Sequence, residues 1–251
     1  MAIHVFVVSH NHGNEISKIG SVKKIANSGL FNVCVKSNCS DPYLYEYAKK
    51  NNIHVINDCY GLGFGANNNY IFKYLEENGN VTDSDYVVIM NPDLDISSDN
   101  LMNLILEMKN NGDSIATANL FKDYEYKIYD NSIRMWPTFY DFFLSFISGK
   151  NKSILDKKLI QEATLIDWAA GSFLVFKASL YRELDGFDER YFMYCEDIDI
   201  CYRAHKLGHK VKYYPNVRAV HLAAHANRNI FSKHFFWHVS SVFRFLLSTR
   251  G

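Results

Sequence analysis

Two acidic segments carry the chemistry this chain could perform. The first is Met90-Asn91-Pro92-Asp93-Leu94-Asp95, where the apolar run Tyr86 to Met90 ends in carboxylates. Hard oxygen ligands of this kind suit Mg²⁺ or Mn²⁺, and such ions readily share their coordination with a diphosphate. A cation there could offset charge developing on a departing nucleotide diphosphate. Asp93 is the better ligand; Asp95 stands close enough to join it. The alternative is a strand-ending turn, with Asp95 or Ser97 capping the helix that follows; of the two aspartates Asp95 is the more plausible cap. The second segment, Tyr194-Cys195-Glu196-Asp197-Ile198-Asp199, sets three carboxylates within four positions. Crowding of that sort is costly unless the acids are solvated, metal-bound or catalytic. A half-buried carboxylate can take a proton from a hydroxyl. The alternative is a capping cluster on an exposed helix start. Tyr191, Phe192 and Tyr194 could wall the acids on one side, as sugar sites often require.

Gly61-Leu62-Gly63-Phe64-Gly65 opens a helix. Glycines let the backbone approach a ligand closely, and a helix N-terminus favours phosphate. The spacing is not that of a dinucleotide-binding loop, and no acid for a ribose follows it, which argues against an oxidoreductase. A plain strand–helix turn fits the spacing equally well. Histidines recur as His10/His12, His205/His209, His221/His225 and His234/His238, but HExxH is absent. Most read as surface or core residues. His221, at a strand end, is the best ligand candidate among them.

Hydrophobic periodicity supplies the elements that must position these residues. Ile3 to Val8, Asn32 to Lys36, Ile53 to Ile56 and Tyr86 to Met90 read as strands. Helices are expected over Glu15 to Ser28, Tyr43 to Lys50 and Ala66 to Glu77. Such alternation argues for a mostly parallel central sheet flanked by helices, with ligands beyond the carboxyl ends of its strands. Ser9, Asn38, the glycine loop and Asp93 all fall at those ends. Further on, Leu101 to Met108 and Asp197 to Leu207 read as helices. Ser114 to Ala118, Ser172 to Phe176, Lys210 to Tyr214 and Arg218 to His221 read as strands. Lys122 to Glu162 has no assignable pattern. Ile230 to Leu247 reads as a C-terminal amphipathic helix with Phe231, Phe235, Val239, Val242 and Leu246 on one face. Basic residues decorate it, as suits an anionic membrane surface; packing on the core or on a second copy of the chain, as a homodimer, fits the same pattern.

The chain has 251 residues, 48% hydrophobic and 22% charged, with 27 basic and 27 acidic side chains. A zero formal charge gives no global pull toward nucleic acid. Five irregularly spaced cysteines suggest a reduced compartment. No signal peptide and no apolar stretch of roughly 18 residues is seen, so a cytoplasmic, peripheral protein is expected. With no linker or repeat, one domain is expected, in three parts: residues 1–95, residues 96–225 and a C-terminal helix over 226–251.

Taken in order, these motifs resemble the inverting family 2 glycosyltransferases of the GT-A fold, and among them bacterial O-antigen rhamnosyltransferases. The likeness rests on Val8-Ser9-His10-Asn11, Gly63-Phe64-Gly65 with Asn68-Asn69, and Asn91-Pro92-Asp93. It continues through Asp167-Trp168 with Gly171-Ser172, Gly186-Phe187-Asp188, and Tyr191 to Asp199. Such enzymes move rhamnose from dTDP-L-rhamnose onto N-acetylglucosaminyl-diphospho-undecaprenol at the cytoplasmic face of the inner membrane. The resemblance implies a nucleotide-diphospho-sugar donor contacted by Ser9, Asn11, Asn38, Gly63, Gly65, Asn68, Asn91 and Asp93. It implies a divalent cation, Mg²⁺ or Mn²⁺, at Asp93 with Asp95 and His221. Asp197 would be the general base, beside Glu196. Trp168, Gly171, Ser172 and Arg228 would meet a polyprenyl-diphosphate-linked saccharide acceptor. Three departures stand out: Ser37 where the family usually has Asp before the Asn that follows the second strand, Gly61 where Asn is common, and Ala223 to Arg228 in place of a glycine-containing turn. The first leaves the donor nucleotide open. Galactofuranosyl, mannosyl or N-acetylhexosaminyl transfer would use the same machinery. A non-catalytic sugar-nucleotide-binding subunit is the alternative from another class.

Overall fold

The computed structural model describes residues 1–137, 152–222 and 233–249. Its strands are β1 (Ile3–Ser9), β2 (Asn32–Ser37), β3 (His54–Ile56), β4 (Tyr86–Met90), β5 (Leu94–Asp95), β6 (Ile115–Phe121), β7 (Ile133–Arg134), β8 (Thr164–Ile166), β9 (Trp168–Ala169), β10 (Phe173–Lys177) and β11 (Val211–His221). Its helices are α1 (Gly13–Ile19), α2 (Ser21–Asn27), α3 (Pro42–Lys50), α4 (Phe64–Glu77), α5 (Ser98–Asn111), α6 (Ala178–Glu183), α7 (Glu196–Lys206) and α8 (Lys233–Ser248).

One sheet runs through both halves of the chain in the order β3-β2-β1-β4-β10-β6-β11-β5, with β8 also on β11. Pairing is parallel from β3 to β4, as expected. Beyond β4 the sheet is mixed: β10 runs antiparallel to β4 and β6, while β11 is parallel to β6. Side chains of β4 alternate between two cores. Tyr86, Val88 and Met90 face α1, α2, α3 and α5; Val87 and Ile89 face α4, α6 and α7. Burial on both faces explains why the strands read as continuous apolar runs.

Three expected boundaries move for local reasons. The helix expected over Glu15 to Ser28 is two helices, because Gly20 takes a left-handed conformation (φ 72°) and its N–H closes α1 on the Ile16 carbonyl. The two short strands expected around Pro215 are one strand, β11, whose register shifts between Tyr214 and Arg218. Proline offers no N–H to the ladder there. The cap of α5 is Ser97, whose Oγ accepts from the Asn100 amide at 3.1 Å. Asp95 is instead drawn into β5, opposite Val220.

A second layer of contacts fixes the segment 186–197 against α4. The Phe64 amide donates to the Phe192 carbonyl at 3.1 Å. Asn69 reaches the same segment, donating to the Phe187 carbonyl at 2.8 Å and accepting from the Phe187 amide at 2.9 Å. From the other side α8 packs Trp237 on Phe192 (4.6 Å between centroids) and His238 on Tyr194 (5.2 Å). The Ser241 hydroxyl donates to the Met193 carbonyl at 3.0 Å. Among the described residues no helix is long and apolar enough to cross a membrane.

Gly63 makes the α4 contact feasible. A Cβ there would lie 2.4 Å from the Phe192 carbonyl oxygen and 2.9 Å from its Cα, both backbone atoms that cannot swing away. Gly63→Ala is therefore expected to cost about 1–3 kcal/mol in urea denaturation, by overpacking. An unchanged denaturation midpoint would show that the two segments are not held together as described.

Candidate active site

The first acidic motif sits at the tip of β4. The Asn91 amide donates to the Ser172 carbonyl at 2.9 Å, tying that tip to the segment before β10. The turn through Pro92 then sends β5 back along β11, with Leu94 opposite His221. The Leu222 amide donates to the Asp93 carbonyl at 3.2 Å. His221 and Asp93 are brought together by this pairing, with Nε2 3.4 Å from Oδ1. The other ring nitrogen, Nδ1, lies 3.1 Å from Asp130 Oδ2. Burial works to lower the His221 pKa, but the hydrogen bond to Asp130 and the charges of Asp93 and Asp130 outweigh it and raise it to about 9. Burial likewise works against both carboxylates, and His221 holds each below its ordinary value. His12, at the start of α1, adds a smaller pull on Asp93.

The second motif is presented by strained backbone. Tyr194 and Cys195 are consecutive left-handed residues, φ 70° and 64°. Such residues are strained by on the order of 1–3 kcal/mol each and persist only where surrounding packing imposes them. They turn the chain into α7, and the three acids part company. Asp199 is buried and paired with Arg203 at 2.7 Å. That guanidinium also donates to the Leu184 and Gly186 carbonyls at 2.6 and 2.9 Å, so Asp199 is structural. Glu196 is 7% exposed and its Oε2 has no hydrogen-bond partner. Burial and the neighbouring Asp197 charge raise its pKa to about 8. Asp197 is met by two amides, Gly171 on Oδ2 at 3.0 Å and Ile198 on Oδ1 at 2.9 Å. Burial pushes its pKa up; those amides and the Arg134 guanidinium oppose the rise. Two carboxylates this close share the cost of ionisation, and Glu196 keeps the proton.

The two motifs meet through adjacent residues. Gly171 holds Asp197, and Ser172 holds the β4 tip from which Asp93 follows two residues on. The Ser172 Oγ beside them is buried without a partner. Trp168 is also close by, but only 7% exposed; its Nε1 donates to the Met135 carbonyl at 2.9 Å and the Arg134 guanidinium covers its ring at 5.1 Å. It carries Arg134, whose charge acts on Asp197.

The expected donor contacts divide. Ser9 and Asn38 do gather at the strand ends, where the Asn38 amide donates to the Ser9 carbonyl at 2.7 Å. Asn11 makes the turn after β1 in a left-handed conformation, φ 63°. The Asn38 side chain clamps the main chain of Leu62 at 2.9 Å in both directions and so positions the glycine loop. Gly63 and Gly65 are small for protein packing: a Cβ on Gly65 would strike the Phe187 Cβ at 2.6 Å. Asn68 is fully buried and donates to the Phe64 carbonyl at 3.0 Å. Asp95 faces Tyr124 and does not join Asp93 and His221. Arg228 lies outside the described residues.

Asp130 and Lys157 were not picked out by sequence reasoning, because the segment from Lys122 to Glu162 lacks periodicity. Lys157 is 4% exposed, its Nζ donating to the Ser132 hydroxyl at 2.8 Å and the Leu120 carbonyl at 3.1 Å. Burial lowers its pKa to about 7. Both residues line a groove of 420 Å³. A larger groove, 1080 Å³, lies between α4 and the 181–189 segment and contains neither Asp93 nor Asp197.

Among the described residues no three His, Cys, Asp or Glu side chains form a ready-made metal cage. Asp93 Oδ1 is nonetheless buried without a hydrogen-bond partner, with an imidazole nitrogen beside it. One carboxylate and one imidazole fit a hard divalent cation whose remaining ligands come from a diphosphate and water.

No protein-family profile matches the chain. It is 35% identical over 252 residues to the rhamnosyltransferase WbbL of Escherichia coli K12, covering 99% of this chain and 94% of that protein. It is 27% identical over 213 residues to the N-acetylglucosaminyl-diphospho-decaprenol L-rhamnosyltransferase of Mycobacterium tuberculosis, covering 78% of this chain and 67% of that protein. In structure it is similar to the mannosyltransferase PcManGT of Pyrobaculum calidifontis, solved with GDP-Man and Mn²⁺. The TM-score is 0.61 at 14% identity, over 99% of this chain and 65% of that longer one. With a rhamnosyltransferase matched end to end and the fold of nucleotide-sugar enzymes, the chain belongs to the GT-A glycosyltransferases of family 2 and is rhamnosyltransferase-like.

Proposed function

We propose that this enzyme transfers L-rhamnose, with inversion, from dTDP-L-rhamnose to N-acetylglucosamine carried on a polyprenyl diphosphate. The sugar and acceptor follow the names of its bacterial relatives. The observation that carries the reaction type is the single short segment, Gly171-Ser172, that binds Asp197 on one side and the Asp93 turn on the other. Inversion needs a base and a departing diphosphate on opposite faces of one sugar, and this segment supplies the frame for both.

In the reaction Asp197 takes the proton from an acceptor hydroxyl, whose oxygen attacks the anomeric carbon. The Gly171 and Ile198 amides aim that carboxylate and oppose the rise in its pKa that burial causes. Glu196, protonated beside it, withholds a second negative charge. A divalent cation held by Asp93 and His221 would supply charge neutralisation to the departing diphosphate. Arg134, next to the base and stacked on Trp168, faces the acceptor side.

The lipid acceptor also gives a reading for α8. Phe236, Phe243 and Leu247 are 65%, 58% and 69% exposed on this helix. An apolar stripe beside the catalytic segment suits peripheral contact with the inner face of the cytoplasmic membrane, where the acceptor lipid resides.

Incubation of the enzyme with dTDP-L-rhamnose and a synthetic GlcNAc-diphospho-lipid should add one deoxyhexose to the lipid, read by mass spectrometry. A product formed instead from UDP- or GDP-sugars would overturn the donor assignment. Asp197→Asn should lower turnover by about 10²–10⁴-fold, the range for loss of a general base. Its affinity for dTDP-L-rhamnose should stay within about threefold. Equal losses of binding and turnover would assign Asp197 to donor binding.

Glu196 gives a pH signature. Its pKa is 4.5 in an ordinary setting and about 8 in the fold. Between those values the folded chain holds a proton that the unfolded chain has lost. Stability therefore falls as pH rises through that window. Glu196→Gln removes the penalty, so its stability relative to the parent should increase from pH 5 to pH 8 in urea titrations. A constant difference across that range would show that Glu196 is ionised in the fold.

A further inference from the structure

We propose that Asp130 is a positioning residue of the cation site: its carboxylate accepts the Nδ1 hydrogen of His221 and so turns the Nε2 edge of that ring toward Asp93. The inference rests on the reading of Asp93 and His221 as cation ligands. It adds a residue from a part of the chain with no motif.

The geometry is that of a ring held from both edges. Nδ1 is 3.1 Å from Asp130 Oδ2 and Nε2 is 3.4 Å from Asp93 Oδ1. An ionised carboxylate only accepts, so the Nδ1 hydrogen points at Asp130. Where a cation takes the place of the hydrogen between Nε2 and Asp93, the hydrogen held at Nδ1 leaves the Nε2 lone pair on the Asp93 side. Without Asp130 the ring is free to take the other tautomer, or to rotate, and offer an N–H where a cation requires a lone pair.

Asp130 is itself well anchored. Its amide donates to the Leu120 carbonyl at 2.9 Å, and Tyr129 bridges to Phe121 at the end of β6. Lys157 lies in the same groove, its Nζ donating to the Ser132 hydroxyl at 2.8 Å. Asp130 and His221 are 91 residues apart and each is 13% exposed, so the contact is enclosed rather than a surface coincidence. Carboxylate partners of this kind behind a ligating histidine typically contribute about 10–100-fold to metal affinity.

The test uses the full chain with dTDP present. Mn²⁺ affinity is read from the free-ion EPR signal, and the His221 tautomer from ¹⁵N NMR of the Mg²⁺- and dTDP-loaded protein. Asp130→Ala should weaken Mn²⁺ binding by about 10–100-fold and lose the Nδ1–H signature, with binding of metal-free dTDP unchanged. Asp130→Glu should recover part of the affinity. If the alanine variant does not fold, Asp130→Asn serves, with the same expectation in direction. An unchanged value in either measurement, in a folded variant, overturns the proposal. Undiminished Mn²⁺ binding in Asp93→Asn would instead overturn the cation-site reading beneath it.

Discussion

The arrangement depends on one carboxylate held between two amides. Asp197 receives the Gly171 N–H at 3.0 Å, and the next residue, Ser172, accepts the amide at the tip of β4. A buried acid beside a second buried acid would ordinarily be neutral. Two amides aimed at its oxygens offset that tendency, and aimed amides require rigid backbone on both sides. The antiparallel seating of β10 between β4 and β6 provides one side. The start of α7 provides the other.

Holding α7 in that place strains the chain locally, and packing elsewhere offsets the strain. Tyr194 and Cys195 are left-handed in succession. The segment preceding them is clasped between α4 and α8, through the Phe64 amide, the Asn69 side chain, Trp237 and Ser241. The Asp199–Arg203 pair draws the helix onto the Gly186 turn. Gly63 and Gly65, which look like ligand contacts on spacing, also belong to this clasp, against Phe192 and Phe187.

Electrostatics then separate acids that sequence alone treats as equals. Of the three near α7, Asp199 is neutralised by Arg203, Glu196 is kept protonated by burial, and Asp197 is kept available by amides. Around β5, Asp93 meets His221 while Asp95, two residues on, turns to Tyr124. Environment, far more than residue type, distributes the roles.

Much of this was legible in the sequence. Apolar strands ending in polar tips placed Ser9, Asn38 and Asp93 along one edge, since parallel crossovers bring strand ends to the same side. The ordered motifs carried the family and pointed to Asp197. What the sequence could not decide was which acid pairs with which partner, because those contacts span 26 residues for Gly171–Asp197 and 91 for Asp130–His221. Periodicity reports only which face of an element is buried. The mixed half of the sheet, the β11 register shift and the irregular turn bearing Asp130 arise from pairing between distant strands. Tertiary structure alone sets the local dielectric and the hydrogen bonds that leave one carboxylate met by amides and lock another to an arginine.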